Sequence, residues 1–532
     1  MEEIEENEVK EQNDFVEDKS GEIVLGGRDK IKNWLKDYEN LILIGVIIFA
    51  LAIRWFYFSL TMTQPLWWDE LAYGSLAKNF ITHAWDGTSL IIGETLIRPL
   101  LFPYLWSILM RFGIGEVGVR FFLEFVPSIL SVVFVYLVGK EVYSKRVGLI
   151  GAFIFSTLWI HLFYTGRLLT NVPALVFLFA SVYYFIKSTK TGFVPTYFAI
   201  SLILLSISSL IRYPNALVFF VFLCFLILTL RFNLVKNKKF WYSGIIGIAP
   251  MLLFFVYNLI TSGHIFPALS GTGGAASSSV AYHVLNFIPT YLAPGVSTNF
   301  AYFSNLGLIM QSVFLIAFQI GLIVVLFGLF TGYDRISRKK DLQGHLILLL
   351  VFAAIFGYFI FMIRGAEDRW LFPASLSLVL FAGVGLDYLY RKVRKYNKQI
   401  AYVLLIIVLT LGAYGQINFA DDLIRNKKES FLQIQQGFEW IKENTPPDSV
   451  ILGQGIEVYS LYYSERFYAR LPKTMEEVDD IEADYLVTHI FTGQPGYIQE
   501  YLIANQDKWV PVNVFFLDKE QTQPAFVIYQ RV

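Results

Sequence analysis

Eleven long apolar runs constrain what this chain can fold into. A helix needs about 20 apolar residues to cross a bilayer, because its backbone polar groups must be paired internally. Hydrophobic residues make up 55% of the 532 residues and charged residues 16%, whereas ordinary soluble domains carry about 25% charged residues. The runs lie near 41–60, 120–138, 148–165, 172–187, 196–211, 215–231, 241–260, 306–331, 344–363, 370–390 and 400–416. The sequence predicts a mainly α-helical, polytopic membrane protein of about 11 transmembrane helices.

A shorter apolar stretch, 98–112, decides the topology, because it either spans the membrane or lies along its surface. Cytoplasmic loops are enriched in Lys and Arg. If the stretch lies along the surface, five basic clusters all become cytoplasmic and the outer loops are poor in basic residues. These clusters begin at Lys140, Lys187, Arg231, Arg335 and Arg391. We therefore expect interfacial helices in the first outer loop, 61–119, one after Asp69-Glu70 and one at 98–112.

The chain divides into three predicted parts. Residues 1–38 form a cytoplasmic acidic tail without a signal-peptide core, which predicts disorder. Residues 39–418 form the transmembrane domain, with a Gly- and Ser-rich outer loop at 261–305 that suits a mobile lid. Residues 419–532 alternate strand and helix patterns and predict an extracytoplasmic soluble α/β domain. We expect a multi-pass plasma-membrane protein with a cytoplasmic N-terminus.

Composition also excludes some functions. The formal net charge is zero, so no basic field indicates nucleic-acid binding. The single cysteine, Cys224, lies in an apolar run and predicts an inert buried thiol. Six histidines and one cysteine form no Cys/His metal cluster.

Polar residues concentrate at the outer ends of the predicted spans. Trp67-Trp68-Asp69-Glu70 follows the first span, and carboxylates at that depth are costly unless they are paired, solvated or used. The full set is Asp69, Glu70, Glu94, Arg98, Arg167, Asn171, Arg212, Arg364, Glu367, Asp368 and Arg369. Arginines suit an anionic phosphate and a carboxylate suits a general base. A shared membrane face predicts a reaction on an anionic, lipid-linked substrate.

Each of these residues also has a purely structural interpretation. Asp69-Glu70 could simply begin a helix, where acidic side chains are favoured. Glu94 and Arg98 could pair only with each other, and Arg364–Arg369 could form a solvated turn. Arg167 and Arg212 could extend to lipid headgroups. His264 and His283, in the flexible loop, are expected to be ordinary surface histidines.

Four stretches resemble the C-type glycosyltransferases, in particular the dolichyl-phosphate-mannose-protein mannosyltransferases and the aminoarabinose transferases of lipid A. Asp69-Glu70-x-x-Tyr73 resembles the acidic motif of their first outer loop. The other three are Glu94 with Arg98-Pro99-Leu100, Val119-Arg120-Phe121 through Pro127-Ser128, and Glu367-Asp368-Arg369-Trp370 with Phe372-Pro373. The resemblance covers roughly residues 40–390.

The resemblance implies an inverting transfer of one sugar from a polyprenyl-phosphate donor to an acceptor on the outer face, and we expect that acceptor to be a lipid, a glycan or a protein. It implies that Asp69 is the base, with Glu70 and Tyr73 beside the substrate. It implies phosphate contacts for Arg369, Arg120 and Arg98. The expected substrate-binding residues further include Glu94, Arg167, Asn171 and Glu367. In the aminoarabinose transferases the residue matching Glu94 contributes to a metal site, so a divalent metal is one possible cofactor.

The chain departs from the family at several positions. Asn171 stands where relatives commonly carry Asp, and an amide is no base and a weaker metal ligand. Arg98 replaces the more usual His, Lys or Pro. The loop 261–305 lacks the repeated β-trefoil insert of eukaryotic mannosyltransferases, so the resemblance does not by itself imply a protein acceptor.

Three other classes remain open at this stage. A transporter or flippase of lipid-linked sugars predicts inverted repeats and charges near the bilayer midplane. A polymerase or ligase of surface polysaccharide predicts a large outer loop with arginines, and 261–305 contains no Lys or Arg. A membrane-anchored receptor would use only its C-terminal domain and would leave the clustered outer charges unexplained.

Overall fold

The computed structural model describes residues 15–17, 23–25, 32–82, 98–190, 192–230, 236–262, 288–295, 309, 311–336, 340–363 and 367–532. Helices dominate the part before residue 428. They are α1 (Tyr38–Thr61), α2 (Trp68–Thr82), α3 (Leu101–Arg111), α4 (Glu116–Arg120), α5 (Val126–Val142), α6 (Lys145–Thr157), α7 (Trp159–Tyr164), α8 (Asn171–Lys190), α9 (Pro195–Ile211), α10 (Leu217–Leu230), α11 (Lys238–Ser262), α12 (Val313–Thr331), α13 (Lys340–Gly357), α14 (Ser375–Arg394) and α15 (Lys398–Lys427).

Short turns of tighter or wider helix lie at the ends of several of these helices. A π-helical turn, Phe121–Phe125, joins α4 to α5, and another, Tyr358–Ile363, extends α13. Turns of 3-10 helix, Tyr213–Ala216 and Asp368–Ala374, precede α10 and α14. Three of these irregular turns, Tyr213–Ala216, Tyr358–Ile363 and Asp368–Ala374, contribute residues to the site described below.

The structure confirms a polytopic helical architecture. Within the described ranges, eight helical segments are long and apolar enough to cross a membrane, and two shorter apolar helices, Pro195–Ile211 and Tyr213–Thr229, accompany them. The predicted run 148–165 is divided into α6 and α7 by a break at Leu158, whose ψ of 120° is not helical. The count of eleven spans therefore stays a prediction.

The break at Leu158 is stabilised by a buried arginine. Arg54 of α1 is fully buried and donates to the carbonyl oxygens of Ser156 and Phe155, at the C-terminal end of α6, and to Ser128 Oγ. The end of a helix carries partial negative charge and unpaired carbonyl groups, which a guanidinium satisfies. Ser128 Oγ in turn lies 3.0 Å from Thr165 Oγ1, so α1 and α5 both hold the chain just after α7.

The C-terminal domain is built on a mixed five-stranded sheet. Its helices are α16 (Leu432–Asn444), α17 (Glu457–Tyr459) and α18 (Ile498–Ala504), and a π-helical turn, Ser460–Ser464, follows α17. A hairpin in the N-terminal tail supplies β1 (Phe15–Glu17) and β2 (Ile23–Leu25), and the domain supplies β3 (Val450–Gly453), β4 (Phe467–Arg470), β5 (Tyr485–His489), β6 (Trp509–Phe516) and β7 (Pro524–Arg531). The sheet order is β4-β3-β5-β7-β6, with β3 parallel to β4 and β5 and the other pairs antiparallel.

Three features differ from the pattern-based expectation. Strand β4 lacks a clear alternation because it lies at the sheet edge and buries only Tyr468. Helix α15 continues to Lys427, past the predicted domain boundary at 419. The hairpin of β1 and β2 lies in the tail for which the sequence predicts disorder.

The C-terminal domain and helices α2 and α3 share one core. Tyr73, Phe102 and Trp106 of α2 and α3 pack in the same buried cluster as Phe438 and Tyr459 of the C-terminal domain. The two parts approach so closely at Gly74 that a Cβ there would lie 2.6 Å from the Tyr462 ring. Only glycine fits at this contact, which fixes α2 against the domain.

Candidate functional site

Helix α2 begins with the acidic motif, and its two carboxylates have different roles. Glu70 is fully buried, and its Oε2 accepts a hydrogen bond of 2.7 Å from the backbone N–H of Trp67. An acidic residue three positions into a helix commonly satisfies a free N–H at its start in this way. Glu70 therefore begins the helix, as the structural interpretation of the motif expects. Asp69 is turned away from these N–H groups.

Asp69 lies between two arginines from distant parts of the chain. Its Oδ1 is 2.8 Å from Arg98 Nη1, and its Oδ2 is 2.6 Å from Arg369 Nη2. The side chain keeps 31% of its surface exposed. Burial acts to raise the pKa of Asp69, but Arg369 and Arg98 outweigh it and hold the pKa below the usual 3.8. Asp69 is therefore a carboxylate at neutral pH.

The backbone of Arg369 is the meeting point of two further loops. Its carbonyl oxygen accepts a bond of 3.0 Å from Asn171 Nδ2 and a longer one of 3.5 Å from Arg212 Nη2. Its side chain also pairs with the half-exposed Glu367 through a contact of 2.5 Å between Nε and Oε2. Asn171 thus positions a cation, which is a role open to an amide where relatives carry an acid.

Arg212 is a cavity residue that the sequence does not single out. No described carboxylate pairs with it, and its Nε is buried without a hydrogen-bond partner among the described residues. Burial and the nearby Arg369 lower the pKa of Arg212 to about 10, so it remains charged at neutral pH. The sequence favours a contact with lipid headgroups, whereas the structure places Arg212 in the wall of a cavity. The only sequence feature that marks Arg212 is its position in a loop between two apolar runs.

These residues line a cavity of about 270 Å³ at one end of the helices. One part of the wall is charged and the other is aromatic. The lining residues are Asp69, Tyr73, Pro99, Leu169, Thr170, Asn171, Arg212, Tyr213, Pro214, Tyr358, Phe359, Arg369 and Trp370. Tyr73 is held by the Phe102 ring, with ring centroids 5.3 Å apart. Of the predicted site residues, the structure brings Asp69, Tyr73, Asn171 and Arg369 to this cavity, with Arg98 paired to Asp69.

Glu70 and Arg167 form a buried pair behind the cavity. Arg167 Nη1 lies 3.3 Å from Glu70 Oε2, and each side chain is 1% exposed. The guanidinium also lies over the Trp67 ring, 3.3 Å from its centroid. Burial lowers the pKa of Arg167 to about 10. Arg167 therefore does not extend to lipid headgroups, because its charge is neutralised inside the protein.

Arg120 is also buried within the protein and does not line the cavity. Its Nη2 donates to Glu116 Oε1 at 2.7 Å and to the Gln64 carbonyl at 2.8 Å, and its Nη1 donates to the Gly166 carbonyl. Arg120 therefore makes these hydrogen bonds within the protein. The phosphate contact that the resemblance implies for Arg120 therefore has no support in this arrangement.

Several predicted features lie outside the described residues. They are Glu94, Arg364, His264, His283 and most of the loop 261–305. No group of three His, Cys, Asp or Glu side chains that could hold a metal ion occurs in the part of the chain that the structure describes. Both oxygens of Asp69 are occupied by arginine, and Asn171 directs its amide nitrogen to a carbonyl. These residues do not fit a divalent metal site.

Comparison with known proteins confirms the resemblance to the C-type glycosyltransferases. Residues 97–257 match the family described as dolichyl-phosphate-mannose-protein mannosyltransferase. A curated relative, the alpha-1,2-mannosyltransferase alg9 of Schizosaccharomyces pombe, is 22% identical over 271 residues, which cover 42% of this chain and 46% of that protein. The match thus spans less than half of the relative's length.

Solved structures share the fold over nearly the whole chain. ArnT from Cupriavidus metallidurans bound to undecaprenyl phosphate has a TM-score of 0.63 at 12% identity, covering 91% of this chain and 97% of that one. The archaeal oligosaccharyltransferase AglB from Archaeoglobus fulgidus, in complex with an inhibitory peptide and a dolichol-phosphate, has a TM-score of 0.60 at 13% identity. That match covers 94% of this chain and 75% of AglB.

Proposed function

We propose that this chain, which has the fold of the C-type glycosyltransferases, is a membrane glycosyltransferase that takes its sugar from a polyprenyl-phosphate donor. The observation that carries the proposal is the composition of one cavity. It combines a fixed carboxylate, Asp69, with two arginines, Arg212 and Arg369, and with aromatic residues at the end of a span. The phosphate of a lipid-linked sugar matches the arginines, and its apolar chain matches the aromatic residues. The acceptor hydroxyl that attacks its sugar matches the Asp69 carboxylate.

The phosphate of the donor is assigned to Arg212 and Arg369. Arg212 carries a charge that no described carboxylate neutralises, and its Nε hydrogen is free to donate. Guanidinium groups bind phosphate oxygens with charge-assisted hydrogen bonds. They also stabilise the second negative charge that develops when the phosphate leaves, so the leaving group needs no acid.

The lipid tail is assigned to the aromatic side of the cavity. Tyr358 and Phe359 line it, and they lie at the outer end of the candidate span Leu342–Phe361. A phosphate bound at Arg212 and Arg369 would sit at the depth of the headgroups, with its apolar chain continuing along this span. The related ArnT structure contains undecaprenyl phosphate, which agrees with a lipid-phosphate ligand in this fold.

Asp69 is assigned the role of base. The acceptor hydroxyl oxygen attacks the anomeric carbon from the face opposite the phosphate, a bond forms between that oxygen and carbon, and the bond from the carbon to the phosphate oxygen breaks. One displacement inverts the anomeric configuration. The hydroxyl proton passes to the Asp69 carboxylate, because the hydroxyl becomes acidic only as its oxygen bonds to carbon. A low pKa suits Asp69 to this late transfer, since it is ionised whenever the acceptor arrives.

The reaction is placed on the outer face, as the distribution of basic loops predicts. The acceptor is a lipid, a glycan or a protein that reaches the first outer loop. The similarity to mannosyltransferases makes mannose the first sugar to test. The metal-free version of the mechanism uses only Asp69 and the arginines, in line with the poor fit of the described residues to a divalent ion.

Substituting Asp69→Asn tests the proposal. Asparagine keeps the size of the side chain but cannot accept the proton, so we expect transfer to fall by roughly 10²-fold or more. The measurement is the transfer of radiolabelled mannose from synthetic polyprenyl-phosphate mannose to acceptors in proteoliposomes supplemented with a membrane fraction. Asp421→Asn, in α15, is the matched control and should retain full activity, because Asp421 also pairs with an arginine, Arg425, and is 33% exposed. Undiminished transfer by Asp69→Asn would remove Asp69 as the base.

A further inference from the structure

Residues 165–171, here named the wall segment, join α7 to α8 and form one wall of the cavity. Leu169, Thr170 and Asn171 line that wall. The segment has no regular helix or strand before Asn171, so its backbone is held by side chains from other elements. The carbonyl oxygen of Gly166, for example, accepts a bond of 2.8 Å from Gln64 Nε2.

Two buried carboxyl groups hold consecutive N–H groups of the wall segment. Glu70 Oε1 accepts a bond of 2.6 Å from Leu168 N, and Glu124 Oε1 accepts one of 3.0 Å from Leu169 N. The Leu169 N–H also contacts the Arg167 carbonyl oxygen at 2.8 Å. Glu70 comes from α2 and Glu124 from the turn before α5, so two separate elements meet at this backbone.

Glu124 is placed there by the π-helical turn Phe121–Phe125. Within this turn the N–H of Val126 bonds to the carbonyl of Phe121, five residues earlier. Pro127, which has no N–H, follows at the start of α5. A π-helical turn shifts the side chains around the helix axis and is frequent at functional sites.

Glu124 is not part of an ion pair with a described residue. It is fully buried, and its Oε2 has no hydrogen-bond partner in the described part of the chain. Arg120, one helical turn earlier, is directed to Glu116 and to backbone carbonyls, and Arg167 is directed to Glu70. A buried carboxyl group without a counter-ion is costly, so the structure retains Glu124 at a cost in stability. Its only described polar contact is the wall segment.

We propose that Glu124 is a positioning residue of the transfer reaction, which fixes the cavity wall through the N–H of Leu169. The proposal rests on the proposed function, because it assigns the wall to the substrate site. Glu124 does not touch the substrate. It acts by holding Leu169, and through the following two residues it places the Thr170 hydroxyl and the Asn171 amide. A displacement of about 1 Å in a positioned group is enough to slow an enzyme by about 10²-fold.

The hydrogen-bond acceptor, rather than the charge, is the property that matters. Glu124→Gln keeps an oxygen in the same place, whereas Glu124→Leu fills the space without an acceptor. We expect Glu124→Leu to lower kcat about 10-fold or more and to raise KM for the donor by a smaller factor, because Arg212 binds the phosphate without a described hydrogen bond to the wall segment, whereas Arg369 is held in part by Asn171. Glu124→Gln should recover most of kcat. Glu141→Leu, on the same span and paired with Lys190, is the control and should change neither value.

Activity is measured per folded protein, with the monodisperse fraction quantified by size-exclusion chromatography in detergent. A wild-type kcat in Glu124→Leu would overturn the proposal. An equal loss of kcat in Glu124→Gln and Glu124→Leu would overturn it as well, because the acceptor would then be irrelevant.

Hydrogen–deuterium exchange of the peptide covering residues 165–171 tests the contact without using activity. We expect faster exchange in Glu124→Leu and wild-type exchange in Glu124→Gln and in the Glu141→Leu control. Unchanged exchange in Glu124→Leu would overturn the contact with Leu169 while leaving the proposed function intact. If the wild-type protein transferred no sugar from any polyprenyl-phosphate donor, that result would instead overturn the proposed function. The role of Glu124 in that reaction would fall with it.

Discussion

The carboxylate of Asp69 is held in place by arginines before any substrate arrives. Both of its oxygens already carry a guanidinium partner, so in the proposed reaction the acceptor displaces or shares one of these contacts. Arg98 Nη1 meets one oxygen and Arg369 Nη2 the other, and Arg369 is itself fixed through its carbonyl by Asn171. Preorganised charges of this kind need no rearrangement as the reaction proceeds.

Arg212 is the residue whose substitution best tests the donor-phosphate assignment. Arg212→Gln removes the charge and should raise KM for the polyprenyl-phosphate donor about 10-fold or more, since a hydrogen bond to a charged group contributes roughly 1.5–3 kcal/mol. Arg212→Lys should recover part of the loss, because it restores the charge without the forked geometry. The measurement is donor saturation kinetics in proteoliposomes. Unchanged donor KM in Arg212→Gln would place the phosphate elsewhere.

For single residues, the sequence indicates which kinds of side chain belong to the site better than it indicates where each side chain points. Asp69 and Arg369 could be selected because each lies in a motif at the outer end of a predicted span. Glu124 could not, because its position depends on a π-helical turn that shifts the register of one helix. Arg212 and Arg120 look alike in sequence, yet one faces the cavity and the other is bonded within the protein. That difference arises only from tertiary packing.

At the scale of elements, the wall segment shows how close packing replaces regular structure. Gly166 lies against the end of α1, where a Cβ would be 2.2 Å from Thr61 Oγ1. Thr61 is buried and its hydroxyl donates to the Tyr57 carbonyl, so it has little room to move. Apolar periodicity predicts α1 and α7 on either side, but it says nothing about this contact.

Gly166→Ala should therefore destabilise the protein. We expect a loss of about 1–3 kcal/mol, the usual cost of an extra methyl group in a well-packed site. Thermal unfolding in detergent, followed by intrinsic fluorescence, measures it. Gly45→Ala in α1, where nothing lies within 4 Å of the added Cβ, is the matched control and should be neutral or slightly stabilising. The double variant with Thr61→Ala should recover part of the loss. Wild-type stability in Gly166→Ala would contradict the close approach.

At the scale of the whole molecule, the charge distribution predicts the topology, and most of the helical fold could be anticipated from the apolar runs. Each run corresponds to helix within the described ranges, including the run that is broken at Leu158. The sheet order could not be anticipated, because pairing between β5 and β7 joins segments whose patterns are equally compatible with other neighbours. The shared core between the C-terminal domain and α2 was also not predictable from either part alone.

Cysteine labelling tests the predicted sides of the membrane. The single native cysteine, Cys224, is first replaced by serine. A new cysteine at Lys519 in the C-terminal domain should then react with a membrane-impermeant maleimide in intact cells. One at Lys395, in the last basic cluster, should react only after permeabilisation, because basic loops stay in the cytoplasm. The reverse pattern would invert the topology and remove the outer-face site.

The contact between Leu66 and Tyr463 joins two domains, and it also joins a segment that is translated early to one that is translated late. The N–H of Leu66 donates to the Tyr463 hydroxyl oxygen across 397 residues of chain. A ribosome therefore releases the acidic helix α2 long before its final packing partners exist. The aromatic residues that pack around that helix are all in place only after the last span has been inserted and the C-terminal domain has folded. A partly made chain thus carries Asp69 without the packing that holds α2, so we expect the proposed activity to appear only after the C-terminal domain has folded.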